Sequence, residues 1–301
     1  MNPLPEDAVL PIPAIHAPGM AGDLMMLAKA RLSTLVLVTT SVGFCMGSVG
    51  DFDWFLLLRV LFGTAMVAGS AAVLNQFIER KVDRLMDRTK DRPLPAGRMQ
   101  PTTALGLGVL LAVAGFIYLM DRVNTPAALL AAATLAIYLL FYTPLKRRTS
   151  FCVTVGAISG GLPPMIGWAA ARGSVDAGAW ILFGVLFFWQ MPHFLAIAWM
   201  YRDEYAQAGF VMLSRCDIDG LCTARKSLLS TIALTLVTLL PISLKMVTPW
   251  YLAGALVCDA ALLFCAVLFL LHRDRPSARR LFFASISYLP LLLGLMVFAK
   301  A

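Results

Sequence analysis

Nine apolar runs of about twenty residues each, at 32–50, 54–78, 102–120, 125–143, 151–171, 177–200, 227–247, 250–271 and 280–299, decide most of what this 301-residue chain can become. Each is long enough to cross a hydrocarbon core of roughly 30 Å at about 1.5 Å of rise per residue. The runs are continuous, not alternating, and an open sheet edge finds no hydrogen-bond partners in lipid, so the spans read as helices. With 59% hydrophobic residues and a mean hydropathy of +0.79, the expected fold is all-α: a polytopic membrane helical bundle of about nine transmembrane helices.

A net charge of +8 would suit nucleic acid if the bases formed one patch, but here they alternate from loop to loop. One side of the membrane receives 20 of the 25 Lys and Arg: Lys29, Arg31, seven in 80–98, three in 146–148, four in 202–226 and four in 273–280. The other receives Arg122, Arg172, Lys245 and Lys300, while Arg59 falls near the start of the second run. Such a bias is a positive-inside signal, which predicts a cytoplasmic N-terminus and an outside C-terminus, with membrane lipid and no nucleic acid as partner. Residues 1–26 read as a flexible cytoplasmic lead without signal-peptide character, and 27–301 as a single transmembrane domain. The six cysteines show no CxxC spacing and imply neither a disulfide framework nor a zinc site.

Outside connections are short, whereas two cytoplasmic loops, near 79–101 and 201–226, are long and dense in charge. Long loops in a compact bundle usually carry function. The segment 75–98 alone holds four acids and seven bases. Asn75, Glu79 and Asp83 recur at four-residue intervals, so on a helix they share one side, running from bundle interior to cytoplasmic mouth. Carboxylate and carboxamide oxygens suit Mg²⁺. The same spacing would equally suit a solvated helix end laced with ion pairs. Arg88 and Arg92 follow, also four apart, and guanidinium forks suit phosphate oxygens.

Lys146, Arg147 and Arg148 close the fourth run, as a second phosphate-binding cluster or as a membrane-surface anchor. The sixth run carries Trp189, Gln190, Pro192 and His193. Polar side chains at that depth are costly and normally face the bundle interior, which makes Gln190 and His193 candidates for function or for interhelical packing. Arg202, Asp203 and Glu204 lie at the cytoplasmic end of the same run, where acids and a base would complete a metal and diphosphate clamp or form a solvated helix end.

At these residues the chain resembles the UbiA superfamily of intramembrane prenyltransferases. The resemblance covers nearly the whole chain and rests on three blocks. Asn75 to Arg98 resembles the first acidic motif, continued by Met86, Arg88, Thr89, Arg92, Pro93 and Leu94. Tyr142 to Ala170 resembles the second block, through Thr143, Lys146, Arg147, Gly160, Pro163, Pro164, Gly167 and Trp168. The third is Trp189-Gln190-x-Pro192-His193-Phe194 with Glu204, Tyr205, Ala208 and Gly209, and this stretch favours the branch that farnesylates protoheme IX. Glu79 stands where many members have Asp, and Val211 and Ser214 replace two prolines.

The resemblance implies transfer of farnesyl from farnesyl diphosphate to the 2-vinyl group of heme B, with addition of water, giving heme O. It implies Mg²⁺ held by Asn75, Glu79, Asp83, Asp203 and Glu204, diphosphate by Arg88, Arg92, Lys146, Arg147 and Arg202, and a heme or prenyl pocket around Trp168, Trp189, Gln190 and His193. Asn75, Glu79, Asp83 and His193 would be catalytic, His193 by binding iron, orienting a propionate or moving a proton. The expected setting is the bacterial cytoplasmic (inner) membrane, with the site facing the cytoplasm and a downstream heme-processing enzyme or terminal oxidase as partner. The alternatives are a prenyltransferase for a quinone precursor and a secondary transporter.

Overall fold

The computed structural model describes residues 19–86, 89–207, 209–213 and 217–301. Residues 1–18 of the expected lead at 1–26 and the candidate Arg88 lie outside them. In chain order the helices are α1 (Met20–Leu27), α2 (Ala30–Gly47), α3 (Trp54–Asp83), α4 (Pro101–Arg122), α5 (Thr125–Ala136), α6 (Cys152–Gly161), α7 (Pro163–Arg172), α8 (Ala177–Met200), α9 (Arg202–Gln207), α10 (Leu221–Ser243), α11 (Tyr251–His272) and α12 (Arg275–Phe298). Among the described residues, eight helical segments are long and apolar enough to cross a membrane, and α1 with α2, bent by 54°, adds a ninth if the pair counts as one span.

Several boundaries differ from the sequence expectation for local reasons. Residues 20–26, read as part of the lead, are helical, and α1 breaks from α2 at Lys29, which adopts φ 47°. The run at 151–171 is two helices, because Pro163 starts a new one and cannot donate into the old. The run at 125–143 passes through a π turn at Ile137–Tyr142 before ending at Leu145, and such a turn rotates the residues that follow it. The second long loop is shorter than expected, since α9 and the early start of α10 at Leu221 take up much of it.

Side-chain caps fix several starts: Asp53 accepts from Leu56 N, Asn124 from Ala127 N, and Asp274 from Ser277 N. Packing between helices relies on small residues, as it does where lipid removes the hydrophobic drive for association. A Cβ added to Gly43 would collide with the Pro164 carbonyl, and one on Gly167 with the Thr40 carbonyl, so α2 and α7 touch backbone to backbone. Between α3 and α4, Ser70 Oγ donates to Gly108 O at 2.7 Å. The core has two main parts. One joins α2, α3, α4, α5 and α7, and the other joins α8 to α10, α11 and α12.

Buried polar groups follow the same logic. Asp259 on α11 accepts from Thr238 Oγ1 at 2.7 Å and Tyr288 OH at 2.6 Å, which ties three helices through one carboxyl group. Lys300 Nζ donates to the Cys45 and Ser48 carbonyls at 2.7 and 2.6 Å, satisfying acceptors at the end of α2.

Candidate active site

The ends of α3, α5, α8 and α11 and the starts of α4, α6, α10 and α12 all lie on the side that collects the 20 bases. Helix α3 runs on to Asp83, so Asn75, Glu79 and Asp83 are all helical, as their spacing predicted. Asn75 is fully buried and its Nδ2 donates to Glu79 Oε2 at 3.0 Å and to Thr143 Oγ1 at 3.2 Å.

A base answers each of these three residues, and each base comes from a different part of the chain. Lys29 Nζ donates to Asn75 Oδ1 at 2.7 Å. Lys146 Nζ donates to Glu79 Oε1 at 2.9 Å, and Arg92 Nη1 to Asp83 Oδ2 at 2.7 Å. The Lys146 ammonium also lies 4.5 Å from the centre of the Tyr142 ring. Burial by itself would lower its pKa, but Coulombic attraction to the Tyr142 phenol and the Glu79 carboxylate outweighs burial and holds it above the ordinary lysine value. The result is a ladder at the mouth of the bundle in which two bases neutralise two acids and a third, Lys29, rests on a neutral carboxamide and keeps its charge.

Second contacts hold the ladder in place. Gln76 Nε2 donates to the Leu27 carbonyl at 2.6 Å and fixes the α1 end that carries Lys29. Thr89 Oγ1 donates to Asp83 O at 2.8 Å, which returns the loop so that Arg92 faces Asp83. Arg98 forks onto both oxygens of Asp23, from Nε at 3.0 Å and Nη2 at 2.8 Å, clamping the loop to α1. The two long loops meet in a small apolar cluster of Met86 and Phe210 with Val82, Tyr205 and Met212.

The second acidic motif is placed differently. Asp203 and Glu204 stand exposed on α9, and Arg202 lies over the Trp199 ring at 4.5 Å with Asp203 at 3.9 Å. Among the described residues, no three His, Cys, Asp or Glu side chains are gathered closely enough to form a metal cluster by themselves. Arg147 is exposed beside Lys146.

His193 sits in α8 between two flat neighbours, Trp189 with ring centroids 5.2 Å apart and Phe282 at 5.0 Å. Its Nδ1 is 2.8 Å from Ser285 Oγ, whose own proton goes to the Phe282 carbonyl at 2.6 Å. Nδ1 is therefore assigned as the donor, which leaves Nε2 with a free lone pair. Trp189 Nε1 donates to Ser285 O at 2.7 Å, so one serine positions both side chains. Gln190 is buried, donates to Leu186 O at 3.0 Å and packs on Gly160.

Trp168 is not brought to this site. It is buried against Gly47 and Gly178 with Arg172 over its ring, and Gly178 precedes His193 by fifteen residues, about 22 Å of helix. Lys29 and Ser285, by contrast, belong to the two clusters and were missed as site residues. Lys29 looked like one more positive-inside base. Ser285, a hydroxyl inside an apolar run, carried a signal in the cost of polar groups at membrane depth.

The sequence profile of the UbiA prenyltransferase family matches residues 36–288. The chain is 44% identical over 284 residues to protoheme IX farnesyltransferase of Solibacter usitatus, covering 91% of this chain and 97% of that protein. It is 39% identical over 281 residues to the human mitochondrial protoheme IX farnesyltransferase, covering 93% of this chain and 63% of that one. Among solved structures, a digeranylgeranylglyceryl phosphate synthase superposes with a TM-score of 0.80 at 17% identity, over 92% of this chain and 97% of its own. A UbiA homolog from Archaeoglobus fulgidus bound to GPP and Mg²⁺ superposes at 0.63 with 12% identity, over 91% and 99%.

Proposed function

Because the chain belongs to the UbiA prenyltransferase family, we propose that it farnesylates heme B at the 2-vinyl group, with addition of water, to give heme O and diphosphate. The observation that carries the site assignment is the ladder itself: Asn75, Glu79 and Asp83, each answered by a base from elsewhere in the chain. Acids paired with bases at a helix end are what a site for a metal and a diphosphate needs before its ligands arrive.

The donor set fits Mg²⁺, because two carboxylates and a carboxamide oxygen are hard oxygen ligands from successive turns of one helix. Asn75, Glu79 and Asp83 would hold the ion, which when bound supplies Lewis-acid stabilisation of the leaving diphosphate. Lys146 and Arg92 then turn from their acids, and Lys29 from the Asn75 carboxamide, to the phosphate oxygens, an exchange of one charge-assisted hydrogen bond for another. Their fixed positive charges favour the state in which the C1–O bond has broken and its electron pair has left with the diphosphate.

The farnesyl cation left behind is attacked by the terminal vinyl carbon of heme B. Water then adds at the adjacent carbon and loses a proton, which balances the reaction. Trp189 and His193, stacked and screened from bulk water, line the heme side of this step. A cytoplasm-facing site at an inner membrane agrees with the placement of the bases, and both substrates are amphiphiles able to enter from lipid.

The test is to incubate purified protein in lipid with heme B and farnesyl diphosphate, with and without Mg²⁺, and seek heme O by mass spectrometry. Mg²⁺-dependent heme O is expected. Prenylation of an aromatic quinone precursor in its place, or uptake of an unchanged substrate into vesicles, would overturn the reading.

A further inference from the structure

Where the end of α8 meets the start of α12, a half-open cavity of about 1020 Å³ lies between Met200, Tyr201, Arg275, Arg279, Arg280 and Phe282. Pockets for small molecules are usually of this order or smaller. Its three arginines form neither a hydrogen bond nor an ion pair with any described residue. Asp274 is engaged in capping α12 and Asp219 with Arg273 at 3.4 Å, while Asp203 and Glu204, exposed on α9 just after Tyr201, form no ion pair with the three arginines. Phe282, in the inner wall, stacks on His193 through its ring.

The spacing along α12 links this cavity to the histidine. Arg275, Arg279 and Phe282 share one face at intervals of four and three residues. Arg279 lies six residues before Ser285, the partner of His193, and Arg275 ten, about 9 and 15 Å of helix rise towards the cytoplasm. Aromatic wall, free imidazole nitrogen and guanidinium groups without an acid partner, that of Arg279 lying over the Phe283 ring at 5.6 Å, thus follow one another along a single line.

Resting on the heme reading above, we propose that this cavity seats the propionate edge of a flat dianionic tetrapyrrole, with Arg275 and Arg279 binding the two carboxylates and Arg280 at the rim. The ring extends inward past Phe282 to His193, and the arginines fix which edge of the macrocycle faces the cytoplasm. Guanidinium groups bind carboxylates through paired, charge-assisted hydrogen bonds. A topology signal alone requires only bases somewhere at this end of the helix. It does not require them to line one concavity with an aromatic wall. Lipid phosphate offers similar anionic chemistry, so the experiment separates the two.

Full-length protein in phosphatidylcholine nanodiscs is titrated with heme B and with heme B dimethyl ester, whose propionates are neutral, and binding is followed by the Soret band. Arg275→Gln/Arg279→Gln should bind heme B about ten- to hundredfold more weakly than wild type and bind the ester as wild type does. Arg279→Lys should restore part of the loss. The KM for heme B should rise by a similar factor while that for farnesyl diphosphate stays unchanged. Wild-type affinity for heme B in the double variant, or equal losses for acid and ester, would overturn the proposal. So would a variant altered only in its response to added phosphatidylglycerol, which would assign the arginines to lipid. Heme O formation by wild type is scored separately: arginine-dependent heme binding without heme O would sink the catalytic reading and leave this one standing.

Discussion

Lys146 and Glu79, 67 positions apart in sequence, meet with Nζ 2.9 Å from Oε1, and both side chains are largely buried. A buried pair of this kind contributes little net stability but is costly to halve, because the remaining charge has no partner. It is better understood as a charge held ready for exchange.

Replacing Lys146 with Met should therefore lower kcat/KM for farnesyl diphosphate by about 10²–10³-fold, the scale seen when one preorganised donor to a developing anion is lost. Steady-state kinetics with both substrates varied would check this. A change confined to the KM for heme B would exclude Lys146 from the diphosphate site.

Asp83→Asn keeps the shape of the side chain and removes its charge from the pair with Arg92. Turnover should nearly vanish while the gel-filtration peak stays close to wild type; the melting temperature should fall, but modestly, because the amide oxygen can still accept from Arg92, which is partly open to water. Wild-type turnover at saturating Mg²⁺ would remove Asp83 from the ligand set.

Ser285→Ala deletes the oxygen that accepts from His193 but spares the backbone carbonyl that holds Trp189. The loss of one hydrogen bond costs about 1 kcal/mol, so stability should change little. The heme Soret band should shift and kcat should fall roughly tenfold for a comparable loss in orientation. An unchanged spectrum would show that His193 does not need this anchor.

Gly167→Val places atoms where α2 and α7 touch backbone to backbone. Neither backbone can give way as the end of a side chain can, so the cost should reach several kcal/mol. Loss of the monodisperse peak in gel filtration is expected, whereas Gly97→Ala, in open space but at φ 75°, should cost only about 1 kcal/mol.

How much of this was legible before the fold was seen varies residue by residue. The common side of Asn75, Glu79 and Asp83 could be read, because a four-residue interval fixes neighbours on a helix wherever that helix lies, but the apolar run stopped at 78 and only the structure carries α3 on to Asp83. The spans could be read because each must satisfy its own backbone hydrogen bonds in lipid, a condition that acts within about twenty residues. Partner choice is another matter. That Lys29 answers Asn75 depends on the break between α1 and α2, and that Lys146 answers Glu79 follows from a chain path with a π turn at 137–142 that apolar periodicity does not register. Trp168 looked like a pocket residue by motif yet packs at the far end of the bundle, while Ser285, absent from every motif, positions His193 across 92 positions. The sequence by itself determined that the chain is a bundle of about nine apolar spans with its charge gathered at one set of their ends, since hydrophobicity and helical periodicity are local. Only the tertiary structure decided which charges pair and which rings stack, because those contacts depend on how helices far apart in the chain cross.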